Sequence, residues 1–254
     1  MSAADFGFDC LARGGHRLPG RSVKTIRHEA GNPSRTVRSG GPLAPDPNDR
    51  RAALRLTSVS RETEERLDRF IALLLAWQAR VNLIAASTIP HVWTRHIADS
   101  LQLLSLAPQA RCWVDLGSGA GFPGLVLGCA LADTPGATVH LVESNARKAA
   151  FLREVTRELR IPTIVHCMRI EDFIVRESVT PDVVTARALA PLPRLIELIQ
   201  PLLAKGAIAL LLKGQDVEAE LAEATRCWNI AADLVPSKTS SEGCILIVRA
   251  APRR

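Results

Sequence analysis

No apolar run in this 254-residue sequence approaches the about eighteen residues of a membrane-spanning helix, and none has the make-up of a secretory leader. Neither segment is therefore expected. The six cysteines (positions 10, 112, 129, 167, 227 and 244) include no Cys-x-x-Cys pair and no metal-ligand spacing. Several fall in apolar runs, so they read as reduced, buried thiols of a cytoplasmic protein without a metal site. Cys112 and Cys129 are expected in the core rather than as nucleophiles. No internal repeat is visible. Net charge is scarce once it is located. The chain carries +6, but residues 1–55 hold ten Arg/Lys against five Asp/Glu, leaving 22 against 21 for the rest. The sum thus shows no basic face on the folded part, though it leaves room for a local patch.

Residues 1–55 are rich in Gly, Pro, Ser and Arg and have no sustained period, which reads as a disordered basic tail. An inert tail, an RNA-attracting arm and an organelle transit peptide compete for it. Its five acidic residues count against the transit peptide, and the inert tail is favoured. Residues 56–108 read as a helical extension. Ser60 is an N-cap followed by Glu62, Glu64 and Glu65, and Leu67, Phe70, Ile71, Leu74, Trp77 and Val81 form one apolar stripe. Asn82-Leu83-Ile84 breaks it. Thr88 is then expected to cap a second helix, with Pro90 in its first turn and Val92, Trp93, Ile97, Leu101 and Leu104 buried. Arg95-His96 and Asp99-Ser100 lie within one turn of each other there, as a local ion-pair and cap network or as a functional patch.

From residue 109 to 254 strands and helices alternate, the signature of a mostly parallel α/β sheet. Strands are expected near 111–116, 138–142, 163–167, 182–186, 207–213, 230–235 and 244–249, and helices near 123–132, 145–159, 191–203 and 216–226. The short connection 236–243 makes the sixth and seventh strands an edge hairpin, the last one antiparallel. The expected fold is a Rossmann-like, seven-stranded methyltransferase sheet with an N-terminal helical extension.

The chain is organised around Asp115-Leu-Gly117-Ser-Gly119-Ala-Gly121-Phe122-Pro-Gly124, a strand end, a glycine turn and a helix start. Glycines there let backbone lie against a ligand with no Cβ in the way. Gly119-x-Gly121-x-x-Gly124 formally matches a dinucleotide fingerprint. A carboxylate at Asp115 opposes a pyrophosphate and suits an ammonium beside adenosine, which points to S-adenosylmethionine. Glu143, ending the next strand, is placed to accept both ribose hydroxyls, and Glu171 or Asp172 to meet the adenine amine. At the fourth strand end stands Thr185-Ala186-Arg187-Ala188-Leu189, with neither an Asn/Asp-Pro-Pro-aromatic for an exocyclic amine nor a thiolate for pyrimidine C5. The acceptor should therefore have an exposed lone pair and no proton to lose, as guanine N7 does. Arg187 is expected to bind the cofactor carboxylate, guanine O6 or a phosphate.

An ordered set of motifs carries a resemblance. Arg95-His96-Ile97-x-Asp99-Ser100, the Asp115–Gly124 segment, Arg147-Lys148 with Phe151-Leu152, Arg169-x-Glu171, Arg187-Ala188 and Leu212-Lys213-Gly214-Gln215 together resemble the bacterial 16S rRNA guanine-N7 methyltransferases, also called glucose-inhibited division protein B. The resemblance covers roughly residues 60–250 and leaves the tail unexplained. It implies methyl transfer from S-adenosylmethionine to N7 of one guanine of the rRNA, in the free RNA, the small subunit or an assembly intermediate. It implies cofactor contacts at Gly117, Phe122, Ile170, Glu171 and Arg187, which join Asp115, Gly119, Gly121 and Glu143 from the reading of the turn and the next strand, and it raises Arg95, His96 and Lys213 beside Arg187 as rRNA or active-site contacts. A monomer is expected. Two other classes compete: an NAD(P)-binding oxidoreductase, which dialysis with labelled ligands separates, and a non-catalytic cofactor-sensing or RNA-binding scaffold, which methyl transfer to rRNA separates.

Overall fold

The computed structural model describes residues 44–254. Its strands are β1 (Cys112–Leu116), β2 (Thr138–Val142), β3 (Thr163–His166), β4 (Val183–Arg187), β5 (Ile208–Lys213), β6 (Ala231–Pro236) and β7 (Cys244–Ala250). They form one seven-stranded sheet in the order β3-β2-β1-β4-β5-β7-β6. β1 to β5 pair in parallel, and β7 runs antiparallel to β5 and β6. The strand order turns back between β1 and β4, and in open α/β sheets ligands bind outside the carboxyl ends at such a point.

The helices are α1 (Pro47–Leu56), α2 (Arg61–Gln78), α3 (Asp99–Leu101), α4 (Gly124–Leu131), α5 (Ala146–Leu159), α6 (Ile170–Arg176), α7 (Leu192–Leu203) and α8 (Val217–Ala224). Strand alternation sends Trp113 to one face of the sheet, where it joins Leu67, Phe70, Leu74, Leu141 and Phe151. Val114 and Leu116 go to the other, with Val184, Ile196 and Leu246. Each side chain so buried contributes about 1.5–3 kcal/mol. Ser60 caps α2 as expected, its Oγ accepting from the Thr63 amide at 3.2 Å.

Three expectations are corrected. Residues 47–55, read as tail, lie in α1. Its buried residues are Asp49 and Ala53, one polar and one small, so it has no apolar stripe to betray it. Residues 1–43 and the reading of them as inert lie outside the described residues. Thr88 caps nothing: residues 86–91 are a 3-10 helix, and its hydroxyl donates to the Ala85 carbonyl at 2.7 Å. A π-helix over Trp93–Ala98 follows, then α3 and a second 3-10 turn, Gln102–Leu106. Nor are all the thiols buried. Cys129 is, Cys112 and Cys244 are partly covered, and Cys167 and Cys227 stand exposed just past β3 and α8. Among the described residues no helix is long and apolar enough to cross a membrane, and no cluster of three His, Cys, Asp or Glu could hold a metal ion.

Candidate active site

β1 ends in a turn whose glycines have positive φ, +69° at Gly117, +54° at Gly119 and +89° at Gly121. Gly117 and Gly119 line a cavity of about 410 Å³, together with Glu143 and, from the first turn of α6, Ile170 and Glu171. A Cβ on Gly119 would meet only the Gly117 carbonyl, at 3.7 Å, so bare backbone faces open space. Glu143 braces this wall, accepting from the Gly119 amide at 2.8 Å and the Asn145 amide at 2.7 Å. A carboxylate has about four acceptor positions, so two remain for hydroxyl groups. Glu171 is exposed and pairs with Arg194 at 2.9 Å; the Arg cations and its own backbone amide hold its carboxyl below the usual range, the amide contributing most. Volume, glycine wall and free acceptors fit the adenosine half of S-adenosylmethionine.

Other members of the motif serve the scaffold. Asp115 is only 1% exposed and lines neither this cavity nor the larger hollow described below. It shares a sheet face with Trp113, beneath α4, where Oδ2 accepts from the Gly124 amide at 3.2 Å and Oδ1 from the Thr185 hydroxyl at 2.9 Å. Burial pushes its pKa up to about 6 against those hydrogen bonds. The ammonium role expected of it is thereby corrected. It fastens the loop and helix to the sheet. Gly121 and Phe122 line neither cavity either. A Cβ on Gly121 would come within 2.3 Å of Leu125, and Phe122 packs on Phe70 and under the ring of His96. Asp172 turns to Arg176, 3.4 Å away.

A second, larger hollow of about 1070 Å³ lies between the π-helix, the ends of β4 and β5, and the β6–β7 loop. Ala188, Leu189 and Ala190 line both spaces, so this short loop after β4 is their common wall. Arg187 projects into the hollow rather than the glycine cavity. Its Nη2 donates to the Arg95 carbonyl at 2.9 Å and lies 3.6 Å from Asp99, while its buried Nη1 has no partner. Burial lowers its pKa, with Asp99 opposing. Asp99 in turn accepts from Thr239 at 2.8 Å and Gln102 at 2.9 Å, tying the β6–β7 loop to the helical segment. Arg95 is exposed on the hollow's rim. His96 is not: it stacks on Phe122 at 4.7 Å, and burial, then Arg187 and Arg95, lower its pKa to about 3. Its ring packs between Phe122 and the Thr88 hydroxyl, 3.3 Å from Nε2, and lines neither cavity. Lys213 lines the hollow, but its ammonium is engaged by Glu220 at 2.7 Å and the Ala190 carbonyl at 3.2 Å.

The family model "rRNA small subunit methyltransferase G" (GidB) matches residues 63–243. The chain belongs to this family. Relatives called ribosomal RNA small subunit methyltransferase G include one from Bradyrhizobium sp. (strain BTAi1), 62% identical over 200 residues, 79% of this chain and 90% of that protein. Another, from Nitrobacter winogradskyi, is 61% identical over 197 residues, 78% of this chain and 71% of that one. Among solved structures, cofactor-bound Rv0187 from MTB matches with TM-score 0.54 at 18% identity, covering 82% of this chain and all, 100%, of that one. The O-methyltransferase TomG from Streptomyces achromogenes, in complex with SAM, gives 0.52 at 14% over 81% and 96%. At those identities the likeness is one of fold, the class I methyltransferase fold, which does not favour the dinucleotide reading. In this GidB-family chain, sequence reasoning had missed Asp49, Gln102, Thr239 and the shared Ala188–Ala190 wall. Asp49 bonds Trp93, 44 positions on, and the contacts that join Gln102 to Lys238 and Thr239 to Asp99 span 136 and 140 positions.

Proposed function

We propose that this protein transfers the methyl group of S-adenosylmethionine to N7 of one guanine in the small-subunit rRNA. Methyl transfer to rRNA and the donor follow from family membership; the acceptor atom is our reading of the hollow. One observation carries it: the wall after β4, Arg187-Ala188-Leu189-Ala190-Pro191, offers no amide or carboxylate to hold an exocyclic amine. Cys244 also lines the hollow, but burial pushes its thiol up, away from the thiolate that addition to a pyrimidine needs. An acceptor presented at this loop brings its own exposed lone pair, as guanine N7 does.

When bound, S-adenosylmethionine supplies an electrophilic methyl group. The protein's part is alignment, which can account for most of such a rate. Gly117, Gly119 and Glu143 hold the ribose side, and the start of α6 meets the adenine. Arg187, held by the Arg95 carbonyl and Asp99, stands on the acceptor's side, in the larger hollow. No residue has to remove a proton. The test uses rRNA from cells lacking the protein, as free RNA and in isolated small subunits, with methyl-labelled donor and nucleoside mass spectrometry. Label in 7-methylguanosine at one position is expected. Label in another nucleoside, or in none, would overturn the assignment.

A further inference from the structure

We propose that Asp49, on the N-terminal helix outside the segment matched by the family model, is a positioning residue for methyl transfer. Asp49 is 9% exposed, at the wall of the larger hollow. Its Oδ2 accepts from the backbone amides of Trp93 at 2.9 Å and Thr94 at 3.1 Å, and its Oδ1 from the Thr94 hydroxyl. These are the first amides of the π-helix, donors that the helix itself leaves unpaired. A carboxylate at that end satisfies them and opposes the positive end of the helix dipole. The cap comes from 44 residues upstream in sequence, on an element with its own anchors. Arg50 grips Asp68 with two bonds of 2.8 and 2.9 Å and Glu64 at 3.1 Å, and lies over the Trp93 ring at 4.9 Å. The Asp46 amide donates to the Pro90 carbonyl at 3.0 Å. The next residue of the π-helix, Arg95, then holds Arg187 through its carbonyl at 2.9 Å. Asp49 therefore sets the turn, the turn sets a carbonyl, and the carbonyl aims the guanidinium beside the wall shared by both cavities. None of these links touches the glycine cavity, so Asp49 should govern the methyl-transfer rate and leave donor affinity alone.

This inference rests on the methyltransferase reading, and the wild-type protein in the same assay separates the two. If it fails to methylate rRNA, that reading falls; if it methylates, Asp49 is tested on its own. The full-length wild type, Asp49→Ala, Asp49→Asn and Asp49→Glu are compared in single-turnover methylation, in S-adenosylhomocysteine binding by calorimetry, and in thermal melts. Asp49→Ala should slow transfer roughly ten- to hundredfold, the scale of a 1 Å misplacement, with S-adenosylhomocysteine affinity within about twofold of wild type. Asp49→Asn keeps an acceptor oxygen for the amides and should restore most of the rate. Asp49→Glu keeps the charge but moves it by one methylene, and should stay slow while folded. A folded Asp49→Ala protein with the wild-type rate overturns the inference, as does an equal loss of rate and donor affinity. Should Asp49→Ala not fold, wild-type transfer by Asp49→Glu overturns it and slow transfer with normal donor affinity supports it.

Discussion

The glycine cavity takes its walls from residues that follow directly on strand ends, Gly117 and Gly119 after β1, Glu143 after β2, Ile170 and Glu171 after β3. The larger hollow is assembled from α1, the π-helix, the ends of β4 and β5 and the β6–β7 loop, held in register by single polar contacts such as Arg187–Arg95 and Asp99–Thr239. The first is fixed by backbone geometry and the second by side chains. Damage to the first should therefore appear as lost stability or donor affinity, and damage to the second as lost rate in a folded protein.

Four measurements would break or sharpen that contrast. The largest effect is expected from Gly121→Ala. A Cβ there sits at φ +89° and within 2.3 Å of Leu125. Left-handed strain and overpacking together should cost roughly 2–5 kcal/mol, read as a lowered melting midpoint. A variant as stable as wild type would show that the loop is softer than its glycines imply.

Next comes the pH dependence of Asp115. Its pKa is raised in the folded state to about 6, so its contribution to stability is complete below its unfolded value of 3.8 and is lost as pH rises through about 6. The swing is on the order of 3 kcal/mol. Asp115→Asn keeps one acceptor oxygen where the carboxylate serves both the Gly124 amide and the Thr185 hydroxyl, and it has no charge to bury, so its stability relative to wild type should climb between pH 4 and 7. Parallel melting curves for the two proteins across that range would contradict the burial of a titrating carboxyl.

Arg187→Ala follows, with a charge-assisted contact of about 1.5–3 kcal/mol removed and a rate loss of roughly ten- to hundredfold. Arg187→Lys should recover little, since Nη2 alone meets both the Arg95 carbonyl and Asp99, and an ammonium has no second nitrogen to leave as a donor. Single-turnover rates beside S-adenosylhomocysteine binding decide it. An equal fall in both would move Arg187 to the donor side. The smallest effect on the fold is expected from Gly119→Ala, where space is open and only the φ of +54° opposes a side chain. About 1–2 kcal/mol of stability should go, with donor affinity falling further because the new methyl enters the cavity. Unchanged affinity would take Gly119 out of the donor wall.

Much of this architecture could be read before any coordinates, and for a physical reason. Each strand and the helices after β1, β2, β4 and β5 carry their own period, so β1 to β7 fall within a residue or so of where apolar runs place them. The glycine turn was legible because its backbone demands are local. α6 was not, since Phe173 is the one residue of its seven that is buried. α1 escaped for the same reason. Asp115 was misread although its alternation with Trp113 already placed it on a covered face of β1. The contacts of Arg187 and Lys213 lie 92 and 23 positions away for their backbone acceptors, beyond the reach of any sequence window. His96 shows the converse: its motif was visible, yet only packing on Phe122 reveals a ring kept neutral.

The shared wall of Ala188, Leu189 and Ala190 has a consequence for chemical intervention. A single molecule that joins an adenosine-like portion to a purine across this loop would occupy both spaces at once. Its second half would engage at the high effective concentration of a tethered group, and the loss of translational freedom would be incurred once rather than twice. Discrimination against other enzymes of the same fold would then come from the purine half, because that half meets walls made of side chains rather than of a backbone turn that many such folds can build.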